Sequence, residues 1–423
     1  MTTYYEEREA AGVAEREAEL FSRLPDALRR AQQRAPAIAR QLQGVEPDTI
    51  RSREHLATIP VLRKSELLHA QMESRKARTA GMSVQESVFG GFSSIGWGEA
   101  ARVFASPGPI YEPESRRKDY WGFARALHAA GFRSGDLVYN CFSYHFTPAG
   151  SMMETAAHAL GCTVFPGGVG QTEQQLQAMV DLQPDGYTGT PSFLRIILEK
   201  AEEQGLRLRG LKRAMFSGEA FPPSLREWFL ERGIEGYQAY GTADLGMIAY
   251  ETPSRAGMVV NEDLLLEIVR PGTSQPVPMG EVGEVVVTTL NPDYPLLRFG
   301  TGDLSAILPG ESPCGRRNLR IRGWLGRADQ TTKIRGMFVH PAQVAQVLAR
   351  HPEVARGRLV VSGSVGRDAM TLQVEVEQAS EGLAERLANT VREITKLRAE
   401  IECVEPGTLP NDGKVIDDVR DYS

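Results

Sequence analysis

Residues 115 to 245 alternate between helix-like and strand-like segments, and this alternation constrains the fold more than any other feature of the sequence. DYWGFARALHAAG, METAAHALG, EQQLQAMVDLQP and SFLRIILEKAEEQG match the helical pattern, whereas DLVYNCFS, CTVFPGG, GYTGT and LKRAMFSGEA match the strand pattern. Helices and strands that take turns at these lengths form βα units, so we expect a mostly parallel sheet covered on both faces. Such sheets bind ligands at the carboxyl ends of their strands, in the loops that follow.

Two further regions follow the alternating one. Residues 257 to 325 consist of strands and turns, as in GEVGEVVVTTL, and are rich in β-branched residues. The helical HPAQVAQVLARH, the strand RLVVSG and the alternating LQVEVE then predict a compact helix-and-sheet module of roughly 90 residues. We place the boundary near Arg327, which gives an N-terminal domain of residues 1–327 and a C-terminal domain of residues 328–423. One helical face of the second domain is predicted to contain Leu383, Leu387, Val391, Ile394 and Ile401.

Charge and cysteine content exclude several classes of protein. The net charge of -6, with basic residues interspersed among acidic ones, does not predict the basic surface that nucleic-acid binding requires. The longest uncharged stretches are broken by Pro, Gly and His, and MTTYYEEREA is acidic rather than signal-like, so we expect a cytoplasmic protein with no membrane segment. The four cysteines form no CxxC pair, which favours reduced thiols over disulfides or a zinc site.

Two short segments at predicted strand ends have the composition of a nucleotide site. FSGEA, residues 216–220, places its backbone where amides and carbonyls can meet a base edge, although taken alone the segment favours an ordinary βα turn. QAYGTADLG offers an aromatic face in Tyr240, a hydroxyl in Thr242 and a carboxylate in Asp244. These groups suit stacking on a base, bonding to a phosphate oxygen and holding a hydrated magnesium ion. The alternative is a strand-to-loop turn with a capping Asp.

Two later segments carry a possible ribose ligand and a possible catalytic cation. RFGTGDL puts Asp303 in a Gly-rich turn, where a carboxylate can accept two hydrogen bonds from vicinal hydroxyls. An Asp after Gly is also common turn chemistry. PNDGKVID places Lys414 on a predicted turn near the C-terminus, where a single Lys is usually a solvated surface charge.

Residues 105 to 113, ASPGPIYEP, raise the question of a phosphate-binding loop. Such a loop normally offers Gly for close approach, Ser or Thr hydroxyls and a Lys charge, and here only Ser106 and Gly108 match. The three prolines each remove a backbone donor, and Glu112 is negative where a cation is wanted. Taken alone, the stretch predicts a turn.

Read together and in order, FSGEA, YGTAD, RFGTGDL, GRADQTTKIRG and a GK near the C-terminus resemble the core motifs of adenylate-forming enzymes. IPVLRKSEL, GDLVYNCFSYHFTPAG, GTPSFLRIILEKAEEQG, CGR, KIRGMFVHP and GKVIDDVRD are similar to the phenylacetate-CoA ligase group of that superfamily. The resemblance covers nearly the whole chain. It implies a large N-terminal domain with mostly parallel sheets and a β-rich subdomain, a small mobile α+β C-terminal domain, and a homodimer.

Enzymes of this group activate a carboxylate with ATP and magnesium to an acyl-adenylate and then pass the acyl group to coenzyme A. The resemblance implies that Tyr240 packs on the base, that Asp303 binds the ribose hydroxyls and that Arg327 approaches the ribose or phosphate. Ser217 and its neighbours would line the adenine pocket. The nucleotide-binding set is Ser217, Gly218, Glu219, Tyr240, Gly241, Asp303 and Arg327.

The resemblance also implies the catalytic positions. Thr242 would contact the α-phosphate, and Asp244 would be the magnesium-facing acid, one methylene shorter than the family's usual Glu. Asp329 matches the hinge of the C-terminal domain. Lys414 would bridge the carboxylate and the α-phosphate oxygen, where it would cancel the repulsion between two anions in a closed site. ASPGPIYEP then corresponds to the phosphate loop, with most of its phosphate chemistry replaced.

Tyr144, His145 and Phe146 would by similarity approach the acyl pocket, where aromatic walls suit a flat aryl acid. His145 equally fits a satisfied interior histidine. Three functions stay open at this point: an aryl-CoA ligase, which is favoured, an acyl-AMP ligase with an amine or carrier-protein acceptor, and a former ligase that binds AMP or a thioester without turnover. The altered loop favours the last, whereas Lys414 and Asp303 oppose it.

Overall fold

The computed structural model describes residues 4–79, 81–328, 332–334, 337–364 and 367–420. Two 3-10 helices, Glu7–Ala10 and Pro47–Thr49, lie near the start of the chain. The α-helices in the described residues, labelled in chain order, are α1 Val13–Arg34, α2 Pro36–Gln41, α3 Arg53–Leu56, α4 Lys64–Lys76, α5 Val84–Phe89, α6 Ala124–Ala129, α7 Ala149–Leu160, α8 Thr172–Leu182, α9 Pro191–Glu203, α10 Pro223–Leu230, α11 Pro341–Ala349 and α12 Leu383–Thr395.

Strands of the described residues are labelled in the same way. They are β1 Leu62–Arg63, β2 Ala100–Ser106, β3 Ile110–Ser115, β4 Leu137–Asn140, β5 Thr163–Phe165, β6 Gly186–Gly189, β7 Arg213–Phe216, β8 Glu235–Thr242, β9 Gly246–Glu251, β10 Met258–Val260, β11 Leu264–Val269, β12 Gly283–Thr289, β13 Phe299–Ser305, β14 Ile307–Leu308, β15 Arg320–Ile321, β16 Thr332–Ile334, β17 Met337–Val339, β18 Arg356–Ser364, β19 Arg367–Glu375, β20 Glu400–Val404 and β21 Ile416–Asp418.

The largest sheet of the described residues has the strand order β14-β15-β10-β9-β8-β7-β6-β4-β5. Strands β5, β4, β6, β7 and β8 are parallel, as the alternation of helix and strand patterns predicted. Strand β8 then turns back into the antiparallel β9. The carboxyl ends of the parallel strands therefore lie at one edge of the sheet.

Helices cover both faces of this parallel region. Successive residues of a strand point to opposite faces, so neighbouring residues of β7 report on both. Met215 of β7 packs in a core with residues of α6 and α7, such as Leu127 and Ala156. Its neighbours Ala214 and Phe216 pack in another core, formed with α8, α9 and α10. The expectation of a doubly covered sheet is confirmed.

Two predicted helix limits are wrong for local reasons. The helix predicted from DYWGFARALHAAG begins only at Ala124, since Asp119 and Gly122 have φ of 48° and 76°. The Asp119 carboxylate instead accepts the Ala124 backbone N–H at 3.0 Å. At the other end of the chain, Lys396 has φ of 62° and ends α12, so Ile401 lies in β20 rather than on the helical face.

The remaining sheets place the later motifs. A four-stranded sheet has the order β1-β13-β12-β11. Asp303 lies inside β13 of this sheet, so its predicted place in a turn is wrong: Gly302, with φ of 73°, is accommodated within the strand. The C-terminal sheet has the order β20-β19-β18-β21, and β16-β17 and β2-β3 are two-stranded.

The chain divides into two compact units. The first comprises residues 1–266, 287–299 and 308–323, and the second comprises residues 267–286, 300–307 and 324–423. A division of function at residues 327 and 328 stays a prediction. In the described part of the chain, no helix combines the length and the apolar composition needed to cross a bilayer.

Candidate active site

In the first unit, Ser217, Gly218 and Glu219 follow directly after β7, at the carboxyl edge of the parallel strands. Gly218 has φ of 80°, and a Cβ there would lie 3.9 Å from both Phe142 and Thr190. The loops after β4, β6 and β7 therefore meet around Gly218. Loops that follow parallel strands are where α/β sheets bind ligands.

The next strand brings Tyr240, Gly241, Thr242 and Asp244 to the same edge. Tyr240 and Gly241 lie in β8 on either side of a bulge opposite β9, and such a bulge re-aims the side chains beside it. The Thr242 hydroxyl accepts the Leu245 backbone N–H at 3.2 Å. Thr242 therefore stabilises the turn into β9 and remains partly exposed.

Asp244 is held by a lysine from the N-terminal region. The Lys64 ammonium lies 2.8 Å from Asp244 Oδ2, and the two residues are 180 positions apart in the chain. Lys64 is the first residue of α4. The Asp244 side chain has no exposed surface, whereas 33% of the Lys64 side chain is exposed. Asp244 Oδ1 is buried and has no hydrogen-bond partner among the described residues.

These surroundings do not fit the magnesium ion that the resemblance implies. Mg²⁺ keeps several waters and is bound through carboxylate oxygens that its hydration shell can reach. One oxygen of Asp244 is engaged by Lys64 and the other is closed off from solvent. Within the described residues, no group of three or more His, Cys, Asp or Glu side chains is placed to hold a metal.

ASPGPIYEP forms the tip of an antiparallel hairpin between β2 and β3, with Ser106 opposite Ile110. Ser106 donates its backbone N–H to Glu112 Oε2 at 3.3 Å and its hydroxyl to Glu112 Oε1 at 2.5 Å. Glu112 has no exposed surface, so it does not face a ligand. Burial, and then the negative charge of Asp244, raise the pKa of Glu112 to about 8.

The proposed acyl-pocket residues lie in the loop after β4. Tyr144 accepts a hydrogen bond from Asn140 Nδ2 at 2.8 Å, and Asn140, which is fully buried, also accepts from Thr188 at 2.9 Å. Burial raises the pKa of Tyr144, so its hydroxyl stays neutral. His145 and Phe146 are exposed, and 80% of Phe146 is accessible. The alternative of an interior histidine at this position is therefore wrong.

In the second unit, Asp303 and Arg327 are brought together. Arg327 Nη1 lies 2.9 Å from Asp303 Oδ1, and the two residues form an antiparallel backbone bridge. Trp324 donates its indole N–H to the same oxygen at 3.1 Å. The Asp303 carboxylate is therefore fixed by two donors, Arg327 and Trp324. These contacts orient the carboxylate, which can accept hydrogen bonds from hydroxyl groups. Sequence reasoning missed Trp324, although it lies three residues before Arg327.

Lys414 lies on an exposed turn of the second unit. Its ammonium is 2.7 Å from Asp417 Oδ1, and 48% of its side chain is exposed. The preceding Gly413 packs closely enough that a Cβ would lie 2.5 Å from Val282 and 3.2 Å from Leu304, the neighbour of Asp303. The turn with Lys414 therefore packs against β13 of the same unit. The predicted hinge, Asp329, lies outside the described residues.

Comparisons with known proteins agree over most of the chain. A family model described as AMP-binding enzyme matches residues 118–291, and one described as AMP-binding enzyme C-terminal domain matches residues 336–422. Phenylacetate-coenzyme A ligase of Thermus thermophilus is 30% identical, and the match covers 89% of this chain and 90% of that protein. The protein of the same name from Escherichia coli is 28% identical over 96% of this chain and 95% of its own length.

A solved structure extends these matches to three dimensions. An open conformation of 2-hydroxyisobutyryl-CoA ligase, in complex with 2-HIB-AMP and CoA, superposes with a TM-score of 0.72 and is 26% identical. The match covers 97% of this chain and 92% of that one. The mixed α/β architecture is thus shared along nearly the full length of both chains.

Proposed function

Because this chain belongs to the phenylacetate-CoA ligase-like group of the adenylate-forming, AMP-binding enzymes, we propose that it activates an aromatic carboxylic acid with ATP and transfers the acyl group to coenzyme A. The general class, an AMP-forming acid–thiol ligase, follows from that membership. The aromatic acid and the acyl-adenylate intermediate are the finer parts of the proposal.

One observation carries the proposal: two of the segments that the family motifs select for a nucleotide lie at strand ends, where α/β sheets bind ligands. Ser217 to Glu219 follow β7, and Thr242 ends β8. The aromatic ring of Phe142 beside Gly218 supports a flat acyl group. A pair of neighbouring loops with this chemistry suits a nucleotide joined to an aryl acid.

We assign each step to residues of this chain. Ser217, Gly218 and Glu219 border the adenine, Tyr240 and Gly241 pack beside it, and Thr242 donates to the α-phosphate. Asp303, oriented by Arg327 and Trp324, accepts the ribose hydroxyls.

Lys414 neutralises the acid's carboxylate and the α-phosphate oxygen as the carboxylate attacks phosphorus and pyrophosphate leaves. The coenzyme A thiolate then attacks the acyl carbon and AMP leaves. We assign this lysine to a functional C-terminal domain of residues 328–423, which rotates about Asp329 between the two steps. Residues 1–327 bind the nucleotide and the acid.

A second candidate function is favoured by the hairpin at residues 105–113. The Ser106 hydroxyl and backbone N–H both donate to Glu112. This tip therefore does not offer the Ser106 donors that a phosphate loop would give to the outer phosphates of ATP. A chain of this kind could bind AMP or an acyl-adenylate without turning over ATP. The first candidate ranks higher because Lys414, the proposed adenylation lysine, has no role in simple retention of AMP.

The test is pyrophosphate release from ATP, supplied with magnesium, across phenylacetate, benzoate and hydroxy- and aminobenzoates. Each acid is assayed with and without coenzyme A. Acid-dependent release that coenzyme A accelerates, with formation of the thioester, is the expected result. Acid-dependent pyrophosphate release without thioester formation would favour an acyl-AMP ligase that uses an amine or a carrier protein as acceptor. If no acid of the panel causes pyrophosphate release but the protein still binds AMP, the second candidate, a protein that binds AMP without turnover, would be favoured.

A further inference from the structure

Lys64 and Asp244 form an ion pair in which only the lysine reaches solvent. Their closest atoms are 2.8 Å apart, and the exposed fractions of the two side chains are 33% and 0%. An ammonium group has three N–H donors, and Asp244 accepts one of them. The pair therefore offers N–H donors, and no carboxylate oxygen, to a ligand that binds outside it.

The hairpin tip offers few donors of its own. Glu112 accepts both the backbone N–H and the hydroxyl of Ser106. The Gln71 side chain, from α4, accepts the Tyr111 N–H at 2.9 Å and donates to the Tyr111 carbonyl at 3.0 Å. Two prolines at the tip have no N–H. The Ser106 and Tyr111 donors of the tip are thus engaged inside the protein.

The hairpin and the ion pair belong to one cluster of charges in the first unit. Asp244 raises the pKa of Glu112 and Lys64 lowers it, so both groups lie within electrostatic range of that carboxyl. Asp244 also lies two residues beyond Thr242, the proposed α-phosphate contact at the end of β8. Lys64 precedes Leu68 of α4 by one helical turn, and a Cβ on Gly108 at the hairpin tip would lie 3.1 Å from Leu68. Lys64 therefore lies near the hairpin tip as well as next to the turn that would hold the α-phosphate.

We propose that Lys64 binds the outer phosphates of ATP in this chain, in place of a loop lysine and a carboxylate-held metal, and that Asp244 is the positioning residue that fixes it. This inference rests on the proposed use of ATP. Asp244 neutralises the pair, so Lys64 acts through directed N–H bonds to phosphate oxygens more than through long-range attraction. AMP lacks those phosphates and does not need Lys64.

Titration of the full chain with ATP, AMP and inorganic pyrophosphate tests this without requiring turnover. Lys64→Met keeps the length of the side chain and removes the charge. Loss of a charge-assisted hydrogen bond predicts an increase of about 10- to 100-fold in Kd for ATP and pyrophosphate. The Kd for AMP should change less than about twofold, within the tolerance of a site without that contact.

Two variants control for folding. Lys76→Met changes a lysine at the far end of the same helix, where it pairs with Glu73, and should leave all three affinities unchanged. Lys64→Arg keeps the charge and should retain most of the ATP affinity. If Lys64→Met fails to fold, Lys64→Gln, which also removes the charge, carries the same test: the inference predicts a large loss of ATP affinity with AMP affinity intact.

Asp244→Asn and Asp244→Glu test the positioning role. Asp244→Asn should weaken ATP binding several-fold and leave AMP affinity unchanged. Asp244→Glu keeps the negative charge and should have ATP affinity close to that of the wild type. The Lys64→Met deficit should persist when magnesium is removed with EDTA, because the contact is not through a metal. Equal loss of ATP and AMP, unchanged ATP affinity, or a deficit seen only with magnesium would overturn the inference. So would a wild-type chain that binds no ATP, whereas one that binds ATP without releasing pyrophosphate refutes the proposed function alone.

Discussion

Lys414 is a single exposed charge whose proposed role can be separated from its structural contacts. Its ammonium contacts Asp417 on the surface, where an ion pair contributes little to stability. Lys414→Ala should therefore leave the melting transition nearly unchanged. It should lower the rate of acid-dependent pyrophosphate release by about 100-fold or more, because a preorganised cation acts on the transition state.

Lys396→Ala is the matched control, since Lys396 is an exposed lysine of the same unit that donates to the Glu393 carbonyl. It should retain the full rate. AMP affinity should be similar in both variants. An unchanged rate in Lys414→Ala would remove that residue from the proposed mechanism.

Asp303 supports a second prediction at the scale of one residue. Asp303→Asn keeps the shape of the side chain but weakens a charged contact with Arg327 and with the ribose hydroxyls. AMP affinity should fall about tenfold, as expected for hydrogen bonds to a charged group. Trp324→Phe removes only the indole donor at 3.1 Å and should have a smaller effect. Calorimetric titration would measure the AMP affinity of both variants. Wild-type affinity in both would contradict the role of Asp303 in binding the ribose.

At the scale of elements, the turn before Lys414 depends on a glycine. Gly413 has φ of 73°, and an added Cβ would lie 2.5 Å from Val282. Gly407 has φ of 84° but nothing within 4 Å, so Gly407→Ala carries only the backbone strain. Gly413→Ala should melt at a lower temperature than Gly407→Ala and lose more pyrophosphate-release activity. Equal behaviour of the two variants would show that packing against Val282 does not position the turn.

The β2–β3 hairpin should make stability depend on pH. Because the pKa of Glu112 is raised to about 8, the folded chain binds a proton more tightly than the unfolded chain between the ordinary value of 4.5 and about 8. Its contribution is therefore full below pH 4.5 and is lost as the pH rises through 8. Glu112→Gln cannot ionise, so its melting temperature relative to wild type should rise between pH 6 and pH 9. A constant difference between the two proteins across this range would contradict the assignment.

The elements differ in how well their sequences determine them. The parallel sheet was predictable because strand and helix periods alternate over long segments. The start of α6 was not, because the left-handed backbone at Asp119 is a local conformation with no periodic signal. Asp303 was expected in a turn because Gly is common there, but pairing with neighbouring strands keeps it in β13.

The site was predictable only where a motif carries it within a few residues. Thr242 ends β8 and Asp244 follows it, and both were selected from the sequence. The Lys64–Asp244 pair joins positions 180 residues apart, and no local pattern reports such a contact. The same reason explains why IPVLRKSEL contributed to the resemblance without indicating a role for its lysine.

At the scale of the whole molecule, membership in the family rests on matches along both units. The two family models cover residues 118–291 and 336–422, and the Thermus thermophilus relative matches 89% of the chain. Such breadth shows the class of enzyme, since fold alone hosts many functions. Under the proposed function, we expect substrate identity to depend on side chains around Gly218 and in the loop after β4.

Acid-dependent exchange of labelled pyrophosphate into ATP without coenzyme A would test the proposed adenylation. Exchange requires that the carboxylate reversibly displace pyrophosphate to form an acyl-adenylate. We predict exchange with an aryl acid in the wild-type chain and its loss in Lys414→Ala. If no acid supports incorporation of label into ATP, although the protein binds both ATP and AMP, the proposed adenylation is wrong. The chain would then retain the nucleotide site without adenylation.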